Sequence, residues 1–135
     1  REEYRSAVAD RLYNGFNGDA VNLLQLNKIS QIISQQGLLK RSDLVGDFLR
    51  NNLDSIASSN GDLVSNVRGT GSLTAFSLKD QKTRDATLGA LKQYGIYAHA
   101  SGADSIRVRP SLTFSEHHAT VFSDRLDQSL KTFKQ

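Results

Sequence analysis

Apolar residues recur along this chain at two spacings, and each spacing predicts a different kind of element. Between Ala20 and Gln36 they fall every three to four residues, which is typical of a helix with a wide buried face. Asp19 is a good N-cap for this helix, and Gly37 ends it at the position where glycine is favoured. The apolar stripe is also wide enough to pack against something outside the chain.

Three further helices follow from the same spacing. The second is capped by Ser42, after a short connection at Leu38-Leu39, and a loop follows at 58–62. Ser115 caps the fourth helix. The predicted ranges are about Asp43–Ser58, Gln81–Tyr94 and Ser115–Phe133, with buried positions Leu44, Val45, Phe48, Leu49, Leu53 and Ile56; Ala86, Leu88, Leu91 and Tyr94; and Ala119, Phe122, Leu126, Leu130 and Phe133.

Strands with period-two alternation lie between these helices. Their predicted ranges are Leu63–Arg68, Ser72–Leu78, Ile96–Ala100 and Ser105–Leu112. Gly69-Thr70-Gly71 predicts a turn or bulge rather than a phosphate loop, because the remaining glycines and a following helix are missing. The order of elements predicts an α+β domain, in which helices cover one face of a three- or four-stranded, largely antiparallel sheet.

The last predicted strand carries the clearest chemical signal. Arg107 and Arg109 are two residues apart and point to one face, while Ile106 and Val108 point to the other. Pro110 cannot donate to a ladder, so the strand ends there or lies on an edge. The two arginines form either an anion-facing surface or, as is commoner for exposed arginines, a solvated face with surface ion pairs.

Composition narrows the classes of function. The chain has 135 residues, of which 38% are hydrophobic and 23% charged, as in ordinary globular domains. The net charge of +3 is spread along the chain, which argues against nucleic-acid binding. No apolar run approaches the roughly 20 residues that span a bilayer, and the charged start does not resemble a signal peptide.

The usual catalytic and metal-binding patterns are missing. The chain has no cysteine, which excludes thiolate metal sites, and the neighbours His117 and His118 lack the i, i+4 spacing of a metal pair. No nucleophile elbow is visible. The residues by themselves therefore predict a domain without a catalytic set, whose arginine face is either solvated or binds an anionic partner.

Three motifs occur in the order and spacing of a known family. They are LYNGFNGD at 12–19, VRGTG at 67–71, and SIRVRPSLTF at 105–114 with His117-His118-Ala119 after it. Together they resemble the C-terminal part of the 4-aminobutyrate aminotransferases, which are class III, fold-type I pyridoxal-phosphate enzymes. The resemblance covers nearly the whole chain, and the arginine strand is most similar to the mitochondrial form of eukaryotes.

The resemblance implies a division of the chain and a set of partners. Residues 1–18 would be an interface loop of the large domain, and 19–135 a helical linker with the small C-terminal domain. The lysine that binds pyridoxal phosphate would lie upstream, so this stretch would hold no catalytic residue. It would need the missing N-terminal part and a homodimer partner, in the mitochondrial matrix or alternatively the cytoplasm.

The resemblance also implies roles for individual residues. Arg107 matches the family arginine that leaves an active-site glutamate to hold the α-carboxylate of a 2-oxo acid such as 2-oxoglutarate. Tyr13 matches an aromatic residue near the substrate. Asn14 and Gly15 match the loop that reaches the cofactor phosphate of the other subunit. Gly15 replaces a family threonine, which removes one hydroxyl contact with that phosphate.

The function that this resemblance implies is transfer of an amino group from 4-aminobutyrate to 2-oxoglutarate by the complete enzyme. Its ligands would be small amino and 2-oxo acids, with neither a nucleic acid nor a membrane. One alternative is a class III aminotransferase for another ω-amino acid. The other is a catalytically inactive remnant of the fold, kept as a structural or interaction subunit, and the glycine at position 15 favours it.

Overall fold

The computed structural model describes residues 7–8, 15 and 18–133. The chain divides into two units, Arg1–Gln36 and Gly37–Gln135. The elements in chain order are α1 (Ala20–Gln35), α2 (Leu38–Ser59), β1 (Val64–Thr70), β2 (Leu73–Leu78), α3 (Gln81–Gln93), β3 (His99–Ser101), β4 (Ser105–Val108) and α4 (Glu116–Lys131). The four strands form one antiparallel sheet in the order β1-β2-β4-β3, which confirms the predicted α+β class.

Helix α1 belongs to the first unit and begins as predicted. The Asp19 carboxylate accepts hydrogen bonds from the backbone N–H groups of Val21 and Asn22, at 2.9 and 3.2 Å. The predicted buried face is wrong for this chain, because α1 has no buried residue. No other helix or strand of the described residues belongs to its unit, so the apolar stripe has no second layer there. The apolar side chains that are 53–70% exposed are Val21, Leu23, Leu24, Leu26 and Ile29.

Helix α2 begins earlier than the sequence predicts. Gly37 adopts the left-handed conformation, with φ 59°, and the helix starts at the buried Leu38 rather than after Ser42. Ser42 lies inside the helix, where its hydroxyl donates to the Ser72 hydroxyl at 2.9 Å instead of capping. Leu44 is 58% exposed, so its predicted burial is wrong, whereas Val45 beside it is buried.

The C-terminal end of α2 extends into the predicted loop at 58–62. The hydroxyls of Ser55, Ser58 and Ser59 each donate to the carbonyl four residues earlier, which keeps polar side chains compatible with a helix. Asn60 follows the helix and is buried, and its amide donates to the Ile56 carbonyl at 2.9 Å. This contact ends α2 and directs the chain into β1.

A hairpin turn at Gly71-Ser72 joins β1 to β2 and is held by α2. Gly69 and Thr70 lie inside β1, so the predicted three-residue turn is too long. Ser42, Gly46 and Arg50 are spaced four residues apart on α2 and face the turn; Arg50 donates to the Gly71 carbonyl at 2.6 Å.

Helix α3 buries only part of the predicted face: the burial of Leu91 is confirmed and Leu88 is half-buried against the core. Leu91 and Thr87 are buried, whereas Ala86 and Tyr94 are exposed. Arg84 is also buried on this helix. The prediction considered only apolar residues as buried and therefore omitted Arg84 and Thr87.

Strands β3 and β4 are shorter than predicted. β3 begins at His99 rather than Ile96, and β4 ends at Val108. Pro110 has no N–H, so the ladder ends before it. Helix α4 follows Ser115 and buries the predicted residues except Phe133, which lies beyond the helix end and is 38% exposed.

The core lies between the sheet and the helices of the second unit. Helices α2 and α3 contact the sheet, and α4 packs on both of them. The fully buried large residues at its centre are Leu49, Leu53, Phe76, Leu78, Leu91, Ile106, Leu126 and Leu130. In the described part of the chain, no helix is both long and apolar enough to cross a bilayer.

Replacing Gly46 with alanine tests the contact between α2 and the hairpin turn. A Cβ on Gly46 would overlap the backbone carbonyl of Gly71, so we expect the free energy of unfolding to fall by about 1–3 kcal/mol or more. Urea denaturation measures this loss. Gly89→Ala in α3 is the matched control: nothing lies within 4 Å of a Cβ there, and alanine should stabilise the helix by about 0.5–1 kcal/mol. Equal effects of the two substitutions would contradict the packing described here.

The N-cap of α3 predicts a pH dependence of stability. Asp80 accepts a hydrogen bond from the backbone N–H of Thr83 at 2.7 Å, and this bond is the main reason that its carboxyl pKa is lowered. A lowered folded-state pKa gives stability that is present above the unfolded pKa, about 3.9, and is lost as the pH falls through the folded value.

Asp80→Asn keeps a neutral cap and removes this titration. We expect the wild-type chain to be more stable than the variant at neutral pH, and the two stabilities to converge as the pH falls through the lowered folded-state pKa of Asp80. Urea midpoints measured across that range report the difference. A difference that stays constant down to the lowest pH would show that the Asp80 carboxylate does not contribute in this way.

Candidate functional site

The alternation of β4 separates its apolar and cationic side chains. Ile106 is fully buried in the core, and Arg107, the next residue, is exposed on the side of the sheet away from the helices. Neither Arg107 nor Arg109 has an ion pair or a hydrogen bond with another side chain that the structure describes. The prediction that the two strand faces differ in this way is confirmed, although Arg109 lies just beyond the strand end.

Two rows of aligned residues cross the sheet on this polar face. One row pairs Arg68 with Ala75, Ala75 with Arg107, and Arg107 with His99. The neighbouring row consists entirely of serines: Ser65, Ser77, Ser105 and Ser101. We call this surface, carrying Arg68, Ser77, Ser105 and Arg107, the polar face. Because the small Ala75 separates the two arginines, both guanidiniums can reach the same side of the sheet.

A bulge in β1 brings Arg68 onto the polar face. Ser65 pairs with Ser77 and Arg68 pairs with Ala75, so β1 has one residue more than β2 between these pairs. Asn66 has φ 51°, a left-handed conformation that asparagine tolerates better than most residues. Without the extra residue, strict alternation from the buried Val64 would point Arg68 into the core.

The Arg68 guanidinium joins three strands. It donates to the Asn66 carbonyl at 2.8 Å, to the Ser77 hydroxyl at 3.4 Å and to the Ser105 hydroxyl at 3.0 Å. Ser77 and Ser105 are buried and lie 3.0 Å apart, and Ser105 can also donate to the Asp104 carboxylate at 3.0 Å. The two buried hydroxyls of this cluster, on Ser77 and Ser105, therefore both have hydrogen-bond partners.

A second arginine holds the turn between β3 and β4. The buried Arg84 of α3 donates to the carbonyls of Gly102 and Ala103 at 2.8 and 2.6 Å. The same guanidinium makes two hydrogen bonds to Asp85, at 2.9 and 2.8 Å. Arg84 thus satisfies the turn carbonyls and attaches the β3–β4 turn to the helix layer.

A cavity of about 410 Å³ lies at the end of β4 and the start of α4. Its wall is mainly apolar, with Val108 and Phe122 among the lining residues, and Arg107 lines it as well. A second cavity of about 210 Å³ is lined by His99, Ala100, Arg107 and Arg109. Arg107 and Arg109 each line both cavities, so the two guanidiniums border an apolar and a cationic space. This combination suits a ligand with a carboxylate on an aliphatic chain.

The two adjacent histidines serve the start of α4. The Nδ1 atom of His118 accepts a hydrogen bond from the Ser115 backbone N–H at 3.1 Å and lies 2.7 Å from the Ser115 hydroxyl. The His118 ring also stacks on Phe114, with 5.4 Å between ring centroids. No group of three metal-binding side chains occurs in the described residues.

The site residues predicted in the N-terminal loop belong to the other unit. Tyr13 and Asn14 lie outside the residues that the structure describes. Gly15 is described and exposed in a turn, and nothing lies within 4 Å of a Cβ built on it. Open space around Gly15 leaves room for a ligand to approach its backbone.

Sequence reasoning missed the contributions of Arg68 and Arg84. Arg68 appears in the sequence prediction only as the last residue of a strand and as part of the VRGTG motif, because the alternation of β1 was interpreted without a bulge at Asn66. Asn66, a residue type that tolerates positive φ, was the available signal. No sequence signal indicated Arg84, because its partners are backbone carbonyls 18 and 19 residues away.

Comparison with known proteins gives the family. The model of the class-III aminotransferases matches residues 4–130. The chain is 32% identical over 130 residues to a probable mitochondrial 4-aminobutyrate aminotransferase of Caenorhabditis elegans, and it spans 27% of that protein. It is 34% identical over 124 residues to a 4-aminobutyrate aminotransferase of Kluyveromyces lactis, of which it spans 26%. The chain thus covers about a quarter of the length of these relatives.

Solved structures agree with this assignment. A lysine aminotransferase from M. tuberculosis superposes with a TM-score of 0.87 at 30% identity, over 93% of this chain and 29% of that one. An acetylornithine aminotransferase from Elizabethkingia anophelis, at 24% identity and a TM-score of 0.70, shares the fold over 76% of this chain and 27% of its own. Together with the matched residues, these likenesses show that the chain belongs to the class III aminotransferase family.

Proposed function

We propose that this chain is the C-terminal part of a pyridoxal-phosphate-dependent aminotransferase that moves the amino group of 4-aminobutyrate to 2-oxoglutarate. The support is the family match over nearly the whole chain and the names of the relatives. Residues 1–18 serve as an interface loop and 19–135 as linker and small domain. The complete protein acts as a homodimer in the mitochondrial matrix. The support for this compartment is that the C. elegans and Sus scrofa relatives are named mitochondrial.

The main structural support for the proposal is the state of the Arg107 side chain. Its guanidinium is exposed on the polar face and, among the described residues, has no ion-pair or hydrogen-bond partner. A planar guanidinium binds a carboxylate through two parallel hydrogen bonds, and the neighbouring cavities leave space for the rest of a small acid. We assign Arg107 to the α-carboxylate of the 2-oxo acid and Tyr13 to the aromatic wall near the substrate.

The N-terminal loop suits a phosphate at its backbone. Gly15 is exposed, and exposed backbone N–H groups of a loop can bind an anion. We assign Asn14 and Gly15 to the phosphate of pyridoxal phosphate. When bound, this cofactor supplies the electron sink for amino transfer. The lysine that carries it belongs to the part of the protein upstream of this chain.

An inactive remnant of the fold is the second candidate, and Gly15 is the observation that favours it. Glycine lacks the hydroxyl that the family places near the phosphate. The two candidates differ in a simple measurement on the complete protein: an aminotransferase shows the visible absorbance of bound pyridoxal phosphate and consumes 4-aminobutyrate with 2-oxoglutarate. A complete protein with neither property supports the remnant. Activity with a different ω-amino acid identifies the neighbouring family member.

Arg107→Ala tests the proposed carboxylate site. Loss of two charge-assisted hydrogen bonds, each contributing about 1.5–3 kcal/mol, should raise the KM for 2-oxoglutarate on the order of 100-fold. The KM for the amino donor should change little. Arg125→Ala on α4 is the matched control, because it removes the same charge from a residue that contacts Gln128 and the Tyr94 ring and lines neither cavity, so it should have a much smaller effect. Steady-state kinetics with unchanged KM values in Arg107→Ala would contradict the assignment.

Gly15→Thr tests the phosphate contact. The open space at Gly15 accommodates a side chain, and its φ is outside the left-handed range that disfavours one. A restored hydroxyl should tighten pyridoxal-phosphate binding about tenfold, as expected for a hydrogen bond to a charged group. Fluorescence titration of the apo form measures the affinity, and Gly15→Val controls for bulk without the hydroxyl. Equal affinities of the threonine and valine variants would exclude the contact.

A further inference from the structure

We propose that Arg68 is a positioning residue for the carboxylate site at Arg107. The inference rests on the proposed function of Arg107 and extends it to a residue on a different strand. Arg68 binds no substrate in this account. It acts through Ser105, which lies on the same strand and the same face as Arg107.

Arg68 contacts β4 across the intervening strand β2. Its own strand is two places away in the sheet, with β2 between, yet its Nη2 atom lies 3.0 Å from the Ser105 hydroxyl. The Nη1 atom of the same guanidinium contacts the Asn66 carbonyl at 2.8 Å and the Ser77 hydroxyl at 3.4 Å. One planar group therefore ties the bulge of β1 to both β2 and β4.

Strand β4 would be held less firmly without the hydrogen bond from Arg68 to Ser105. β4 has four residues and its outer neighbour β3 has three, so few ladder hydrogen bonds fix their position. Ser105 is the first residue of β4, and Arg107 is two residues further along on the polar face. Arg84 secures the turn before Ser105, while Arg68 secures Ser105 itself.

The position of β4 affects how Arg107 binds a carboxylate. A guanidinium recognises a carboxylate through paired hydrogen bonds, so its orientation determines how much of their energy is realised. Arg107 has no side-chain partner among the described residues. The backbone of β4 therefore determines the position and direction from which the Arg107 side chain extends. A strand held at Ser105 pre-organises that position, and pre-organisation lowers the free-energy cost of binding.

The test compares Arg68→Ala, Arg68→Lys and Ser105→Ala in the complete protein. We expect Arg68→Ala to raise the KM for 2-oxoglutarate about tenfold, equivalent to about 1.4 kcal/mol, with the KM for the amino donor unchanged. Lysine cannot make the paired contacts and should restore only part of the affinity. Ser105→Ala deletes only the acceptor on β4 and should act in the same direction. It decides the question even if Arg68→Ala does not fold.

Arg50→Ala is the matched control. Arg50 holds the turn at the other end of β1 through the Gly71 carbonyl and has no hydrogen bond with β4. It should leave the KM for 2-oxoglutarate unchanged. If Arg68→Ala and Ser105→Ala also leave it unchanged, or if they raise the KM values of both substrates equally, the positioning role is wrong.

A binding measurement separates this inference from the proposed function. NMR of the full chain follows the Arg107 side-chain Nε–H signal during titration with glutarate, an unreactive dicarboxylate. A wild-type signal that shifts, with weaker binding in Arg68→Ala and Ser105→Ala, supports positioning. Equal affinities of the wild type and both variants overturn it while Arg107 keeps its assigned role. A wild-type signal that does not respond removes the assigned role of Arg107 and the inference with it.

Discussion

The hydrogen-bonded pairing of β4 with β2 is the constraint on which the candidate site depends. It aligns Phe76 with Ile106 in the core and Ala75 with Arg107 on the polar face. A slip of one residue would bury the guanidinium of Arg107 and expose Ile106. Burial of Ile106 therefore determines the direction of Arg107, and the apolar core and the anion-facing surface are two results of a single register.

Polar contacts reinforce this register at the N-terminal end of the short strand. Arg84 attaches the preceding turn to α3, and Arg68 attaches Ser105 to β1 and β2. Arg68 donates to neutral carbonyl and hydroxyl oxygens, and Arg84 divides its donors between the turn carbonyls and the Asp85 carboxylate. Arg107 has no such partner among the described residues and is available for an anion. Arg68, Arg84 and Arg107 therefore have different roles because their surroundings in the fold differ.

The sequence predicted the features that depend on local periodicity. The type and order of all elements follow from the spacing of apolar residues, and the opposite orientations of Ile106 and Arg107 follow from alternation. The start of α2 was wrong because Gly37 in the left-handed conformation allows Leu38 to begin the helix directly. The bulge at Asn66 and the reach of Arg84 depend on pairing between distant segments, which no local pattern contains. The exposure of α1 has the same cause, since an apolar stripe does not say what covers it.

The most direct measurement is a structure of the complete protein with glutarate bound. We expect one carboxylate of glutarate to bind the Arg107 guanidinium through two parallel hydrogen bonds of about 2.7–2.9 Å. Arg68 should remain on Ser105 in the same structure. Glutarate bound elsewhere, with Arg107 facing solvent or paired with a carboxylate of the protein, would contradict the account.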